Sequence, residues 1–212
     1  MKRGWGTLLP QATEAVAALP LFVAAPLFRS WHLRWGATAV EVASPMPGDE
    51  LVPASHFTAT RAITINAPPE EVWPWVMQVG TNRAGFYSYD LLDSLGMPSS
   101  NTVLPQWQSL GVGDVAAPMT ARPNPATTFV IAEKKFPVHL VWAKPDSSWS
   151  WHLIPLPGNR TRLVTRLKQH YRPGLTMLLT VPLLEFGDFP MMRKMLYGIK
   201  GRAEGHRLPR PR

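Results

Sequence analysis

The apolar and polar positions divide the chain into an uncharged N-terminal run, a proline-rich stretch, and a long region whose pattern alternates between helix and strand. Residues 58–65 (TATRAITI) carry Thr and Ile in alternation and predict a strand. Residues 66–80 predict a helix. Asn66 or Ala67 caps it, Pro68 and Pro69 fill first-turn positions, and Glu70 and Glu71 complement the positive helix end. Val72, Trp75, Val76 and Val79 then share one apolar face, Pro74 predicts a kink, and Gly80 ends the helix. A second short helix is expected at residues 87–95, after a turn at 81–85.

The pattern then turns to strands. One begins near Val115, after Gly111-Val112-Gly113-Asp114, and two more, at 128–132 and 138–143, flank a charged turn at Glu133-Lys134-Lys135. Residues 148–155 and 161–170 flank Pro157-Gly158-Asn159-Arg160, a hairpin signal. With Gly158-Asn159 as the turn centre, the register sets Trp151 opposite Arg166, Trp149 opposite Lys168 and Leu153 opposite Val164. One face would then stack indoles on cations, with Ser150 and His152 on the other. The pattern leaves open which face lines the interior. Phe189, Met192, Leu196, Ile199 and Ala203 recur at spacings of three and four and predict a closing helix capped by Asp188, with Pro190 just inside. The apolar run at 175–184 (LTMLLTVPLL) before it is read as core or cavity cover. These elements make an α+β domain with an antiparallel sheet.

The N-terminal part reads differently. Residues 15–28 (AVAALPLFVAAPLF) are uncharged and apolar, but the run is shorter than the roughly 20 residues a spanning helix needs, and Pro20 and Pro26 interrupt it. It lacks the cleavage site of a signal peptide. Residues 29–35 (RSWHLRW) mix Trp with Arg and His, a composition suited to a lipid headgroup boundary. The segment 15–35 is therefore either a membrane-skimming helix or a helix packed on the domain. Three prolines and a glycine at 44–53 read as an extended linker. The expected organisation is an apolar, Trp-rich extension at 1–43, a linker at 44–57, the domain at 58–204 and a basic tail at 205–212.

Composition narrows the function classes. Of 212 residues, 45% are hydrophobic and 17% charged, which is globular composition with room for one core. The chain has no Cys, so disulfides, thiolate metal sites and Cys nucleophiles are excluded. The net charge of +8 falls partly at the ends, in Lys2, Arg3, Arg202, Arg207, Arg210 and Arg212. No RNA-binding, zinc-knuckle or helix-turn-helix pattern accompanies it, so no nucleic-acid partner is expected and anionic lipid is the better match. A cytoplasmic location, peripheral to the membrane, is the default expectation. Nine tryptophans suit an aromatic-lined cavity, a membrane-facing surface or ordinary core.

ITINAPPEEVWPWVMQVG at 63–80 resembles the opening of the SRPBCC (START and polyketide cyclase-like) superfamily, where a strand runs into an Ala-Pro-x-Glu-x-Val-Trp helix. AGFYSYDLLDSLG at 84–96 and FGDFPMMRKMLYGIKGRAE at 186–204 are similar to an uncharacterised bacterial subfamily, and WHLRWGAT at 31–38 looks like a subfamily extension. The resemblance covers residues 58–204. It implies a helix-grip fold, in which a curved antiparallel sheet of six or seven strands wraps the C-terminal helix around an apolar cavity. The superfamily includes lipid carriers, cyclases, hydrolase-like members and chaperone cofactors, so the resemblance does not fix the activity.

Candidate chemistry is sparse. Tyr87-Ser88-Tyr89-Asp90 joins two phenols, a hydroxyl and a carboxylate at a helix start; Tyr87 could donate to a ligand carbonyl and Asp90 could act as a base, or Ser88 and Asp90 cap the helix while the tyrosines pack. His139, His152 and His170 fall on strands, where an inward His152 could shuttle a proton; His32, His56 and His206 lie outside them. No histidine pair has metal-site spacing, and there is no nucleophile elbow or phosphate loop, so neither metal nor cofactor is expected. Expected ligand contacts are Tyr87, Tyr89, Trp107, Trp142, Trp151, Arg166 and Met192. The leading function is binding or transport of an apolar small molecule or lipid in an enclosed cavity. The alternative is a cyclase or aromatase-like enzyme acting on a polyketide-type substrate through Tyr87, Asp90 and a strand histidine.

Overall fold

The computed structural model describes residues 5–119 and 124–205. The charged ends, with Lys2, Arg3, His206, Arg207, Arg210 and Arg212, lie outside the described residues. The elements in chain order are α1 (Trp5–Ala24), a 3-10 turn (Ala25–Phe28), α2 (Arg29–His32), α3 (Ala39–Ala43), β1 (Phe57–Ile65), α4 (Pro69–Met77) and α5 (Asp90–Ser94). They are followed by β2 (Val115–Pro118), β3 (Thr128–Lys135), β4 (His139–Lys144), β5 (Ser147–Leu156) and β6 (Arg160–Gln169). α6 (Leu175–Pro182) then runs through a π-helical turn (Leu183–Gly187) into α7 (Asp188–Ala203).

One six-stranded antiparallel sheet has the order β1-β6-β5-β4-β3-β2. β1 therefore pairs with the last strand, and α7 packs back on β1 and α4. Side chains alternate between the two faces. Ile63, Ile65, Leu163, Leu153, Trp151, Trp149, Leu140, Trp142 and Ile131 join the core beneath α4 and α7. From α7, Met192, Met195, Leu196 and Ile199 enter the same core, as the helical spacing predicts.

The β5–β6 register differs from expectation by one residue. Leu156 pairs with Arg160, leaving a three-residue loop, and Trp151 opposes Thr165, Trp149 opposes Leu167 and Leu153 opposes Leu163. Both Gly158 and Asn159 have positive φ, but Pro157 is part of the loop instead of a strand end. Because the side-chain period is two, the shift removes every expected indole–cation pair. It places Trp149 and Trp151 inside and puts Ser148, Ser150, His152, Arg166 and Lys168 on the other face. The charged triplet Glu133-Lys134-Lys135 also belongs to β3, and the turn falls on Phe136, Pro137 and Val138. Asp188 is the first residue of α7 and not its cap, since helical turns run straight into it from α6.

The linker is no extended tether. Thr38 and Glu41 form a reciprocal capping box that starts α3. Gly48 lies against Val141 and Ser150, and the Ser150 hydroxyl donates to the Pro47 carbonyl at 2.5 Å. Met46 packs with Ala62 and Val164. Residues 36–52 thus cover the face of the sheet opposite α7. The N–H groups of Thr60 and Ala62 donate to the carbonyls of Leu33 and Trp35, so the β1 edge is closed by the preceding chain.

Candidate functional site

The space between sheet and α7 is occupied by three mutually packed indoles. Trp142 lies 5.3 Å from Trp149 and 5.4 Å from Trp151 between ring centroids, and Trp149 lies 5.0 Å from Trp151. β4 and β5 bring them together because Trp142 pairs directly with Trp149 and the third ring follows two residues along β5. Phe129 stands edge-on to Trp149 at 5.9 Å. Of the expected contact residues, Tyr87, Trp142, Trp151 and Met192 belong to one core cluster, which Trp149 also joins.

The polar ends of these rings are treated differently. Trp149 Nε1 donates to Thr165 Oγ1 at 2.9 Å, and that hydroxyl donates onward to the Ser150 carbonyl at 2.9 Å. Trp151, fully buried, has no partner for its Nε1–H among the described residues. A buried donor left unpaired costs about 1–3 kcal/mol, so this atom is a specific point of unmet chemistry inside an otherwise apolar cluster.

The tyrosine and carboxylate group at 87–90 is a knot of internal bonds. Tyr87 has φ of 56° and its hydroxyl accepts from Gln78 Nε2 at 2.9 Å. Gln78, absent from the sequence expectations, also donates to the Thr102 carbonyl and accepts from the Leu104 N–H. Arg202 stacks over the Tyr87 ring at 4.3 Å, and burial raises the phenol pKa. Asp90 accepts from the Ser99 hydroxyl at 2.6 Å and the Ser99 N–H at 3.1 Å, while Ser99 Oγ accepts from the Tyr87 N–H at 3.0 Å. The phenol and the carboxylate are tied to different partners. Tyr89 is elsewhere, under Lys194 Nζ at 4.1 Å and beside Phe22 of α1 at 5.6 Å.

Asp93, one turn along α5 from Asp90, is the most perturbed carboxyl of the group. Burial, reinforced by the Asp90 charge and opposed by the nearby Ser88 hydroxyl, lifts its pKa from 3.8 to about 7. The folded state holds this proton more tightly than the unfolded chain does, so stability falls as pH rises from about 4 through about 7. Asp93→Asn should flatten that part of the profile and raise the unfolding midpoint at pH 8. Thermal unfolding of both proteins at pH 5 and pH 8 checks it, and equal pH slopes would contradict the assignment.

The remaining expected residues fall outside the interior. His152 pairs with Val164 on the sheet face opposite the indoles, 6.5 Å from the His139 ring, and burial and His139 lower its pKa. The alternation that sends Trp151 inward sends His152 outward. Trp107 sits in a surface 3-10 turn (Pro105–Trp107) beneath the Arg83 guanidinium at 4.4 Å. Arg166 is buried, but on the outer face, where it holds the linker. Among the described residues, no group of three or more His, Asp or Glu side chains could hold a metal ion. Two open concavities lie at the surface. One, of about 400 Å³, is lined by Pro68, Pro69, Pro137, Leu153, Pro155 and Arg160 among others; the other, of about 290 Å³, lies between Trp31, Arg34 and Val42.

No protein-family model and no curated protein sequence matches the chain. Solved structures do. A polyketide-cyclase-like protein from Corynebacterium glutamicum is 12% identical over 68% of this chain and 88% of its own, with a TM-score of 0.39. The self-sacrificing resistance protein CalC from Micromonospora echinospora is 10% identical over 70% and 94%, with a TM-score of 0.42. Protein Ms6760 from Mycobacterium smegmatis is 15% identical over 68% and 88%, with a TM-score of 0.39. With its six-stranded antiparallel sheet closed against a long C-terminal helix, the chain has an α+β helix-grip architecture.

Proposed function

We propose that the protein binds an apolar small molecule or lipid that carries a hydrogen-bond acceptor, seated between the sheet and α7 against Trp142, Trp149 and Trp151. The observation that carries this reading is the unpaired Nε1–H of Trp151. The Trp149 indole already has its partner in Thr165 and the rings otherwise meet apolar contacts, so one acceptor on a ligand would remove the cost of the Trp151 donor. Met192 and Met195 face the same core. Their unbranched thioether chains can change rotamer to admit a guest without moving the backbone. The driving force would be burial of ligand surface, roughly 25 cal/mol per Å² before entropic losses. The acid–base alternative draws less support, because Gln78 and Ser99 bond Tyr87 and Asp90 separately and His152 lies across the sheet.

The test separates shape from hydrogen bonding. Trp151→Phe keeps an aromatic ring and deletes the donor. Titration of the wild type with a fused-ring aryl ketone and with its parent hydrocarbon should show both binding, the ketone more tightly. In Trp151→Phe the ketone should lose about fivefold in affinity, the equivalent of about 1 kcal/mol, and the hydrocarbon little. Failure of both probes to bind, or an equal loss for both, would refute the reading. Native mass spectrometry of freshly purified protein supplies the natural ligand class.

A further inference from the structure

α1 and the turns after it present an apolar stripe to the outside. One face of this helical run is fixed to the domain by polar and aromatic contacts. Gln11 Nε2 donates to the Gly96 carbonyl, Glu14 pairs with Lys194 at 2.5 Å, Phe22 meets Tyr89, and Arg29 pairs with Glu185 at 2.7 Å. Val16, Leu19, Val23 and Leu27 occupy the opposite face at helical spacing, with Leu27 82% exposed. A soluble surface helix normally shows the reverse pattern. The run is also longer than the 14-residue apolar segment suggests: residues Leu8–His32 form 25 helical residues, long and apolar enough to cross a membrane, and an 18-residue window within them has mean hydropathy 1.5.

A second apolar element lies alongside. The π-helical turn Leu183–Gly187 packs on α1 and on Ala25–Phe28, and it follows α6 directly. The sequence pattern read residues 175–184 as core or cavity cover, yet Met177 and Leu178 of α6 and Leu183 and Phe186 of the turn are exposed, Leu178 at 68%. At the end of the α1 run the surface changes character. Trp31 and Trp35 pack edge-on to Phe189, Trp35 on Tyr197, and Arg193 stacks over both Trp35 and Tyr197. Trp and Tyr beside Arg is the composition of a headgroup boundary. Charge agrees with it. Glu14 and Glu185 are neutralised by Lys194 and Arg29, whereas Arg34 and Arg193 have no carboxylate ion pair among the described residues.

We propose that α1 with its following turn and α6 with its π-helical turn form one docking face for an anionic lipid bilayer. The helices lie in the interface with their apolar stripes among the acyl chains, and the Trp31, Trp35, Arg34 and Arg193 rim meets the headgroups. The polar ties of Gln11, Glu14 and Arg29 to the domain keep the run on the surface, because spanning would break them. This inference does not rest on the interior ligand reading.

Vesicle flotation of the full chain tests it, with phosphatidylcholine vesicles and with vesicles that include phosphatidylglycerol. The wild type should float with the anionic vesicles, at least about tenfold more weakly with phosphatidylcholine alone, and more weakly at high salt. Val23→Asp with Leu27→Asp, and separately Leu178→Asp, should each lower binding about tenfold or more while leaving the thermal unfolding curve in place, since these side chains are exposed. Absence of wild-type flotation with either vesicle overturns the proposal. So does sedimentation of a dimer that the Asp variants dissociate without changing flotation, which would make the face a contact between copies. Release from bacterial membranes by detergent only, and not by high salt or carbonate, would mean a spanning helix and also overturns it.

Discussion

Replacing Arg61 by Met should cost about 3–5 kcal/mol of unfolding free energy, the largest single loss expected in this chain. Arg61 is 1% exposed on β1, among the core-facing positions. Its Nη1 donates to Asp188 Oδ2 at 2.6 Å, its Nε to the His32 carbonyl at 2.8 Å, and the guanidinium lies 5.5 Å from the Phe189 ring centre. One side chain thus ties β1, α2 and the start of α7 together. Removing it leaves the Asp188 carboxylate buried without its counter-charge, and that desolvation penalty accounts for most of the loss. The double variant Arg61→Met with Asp188→Leu should recover much of it, because an apolar pair of similar volume needs no compensation. Urea unfolding of the three proteins gives the coupling. A single variant within 1 kcal/mol of wild type, or a double variant no better than the single, would remove the ion pair from this role.

Arg166→Met should act locally. The Arg166 guanidinium donates to Thr60 Oγ1, Asp49 Oδ2 and the carbonyls of Ser44, Glu41 and Val42, at 2.6–3.0 Å. Those acceptors belong mostly to the 39–51 segment, which covers the outer sheet face. Their loss should weaken docking of that segment by about 3 kcal/mol, more than a hundredfold in its opening equilibrium. Hydrogen exchange in residues 40–51 should accelerate accordingly while the amides of β5 and β6 keep their protection. Uniform acceleration through the sheet would mean that Arg166 supports the whole fold instead of one strap.

The sequence pattern read the helices and strands well where periodicity and local chemistry agreed. α4 follows its prolines and glutamates, α7 its stripe from Phe189 to Ala203, and β1 its Thr and Ile alternation. It failed where one residue of loop length decided the outcome. Pro157 joins the β5–β6 loop, and nothing local distinguishes that from a two-residue turn with Gly158-Asn159 at its centre. The faces of Trp149, Trp151 and His152 all depend on that one residue, so the interior site could not be assigned before the register was known. Arg61 was overlooked for a related reason. An arginine within TATRAITI has no partner in its own sequence neighbourhood, and Asp188 and the His32 carbonyl that hold it are distant in sequence. The linker misled because prolines mark where a chain leaves helix and sheet, and say nothing of whether Arg166 will hold it down. Tyr87 and Asp90 stand out in the sequence as a phenol and a carboxylate at a helix start; their partners Gln78 and Ser99 carry no signal in isolation.

The strand order has a consequence for synthesis. β1 has no strand to pair with until β6 is made, and the contacts that hold α1, to Tyr89, Gly96, Glu185 and Lys194, are also made long after α1 itself. The apolar stripe of α1 is therefore made before the elements that hold the helix, and it is still uncovered when the fold is complete. A nascent chain delivered to a membrane by that helix would finish its sheet already in place, with residence at the bilayer decided before the domain exists.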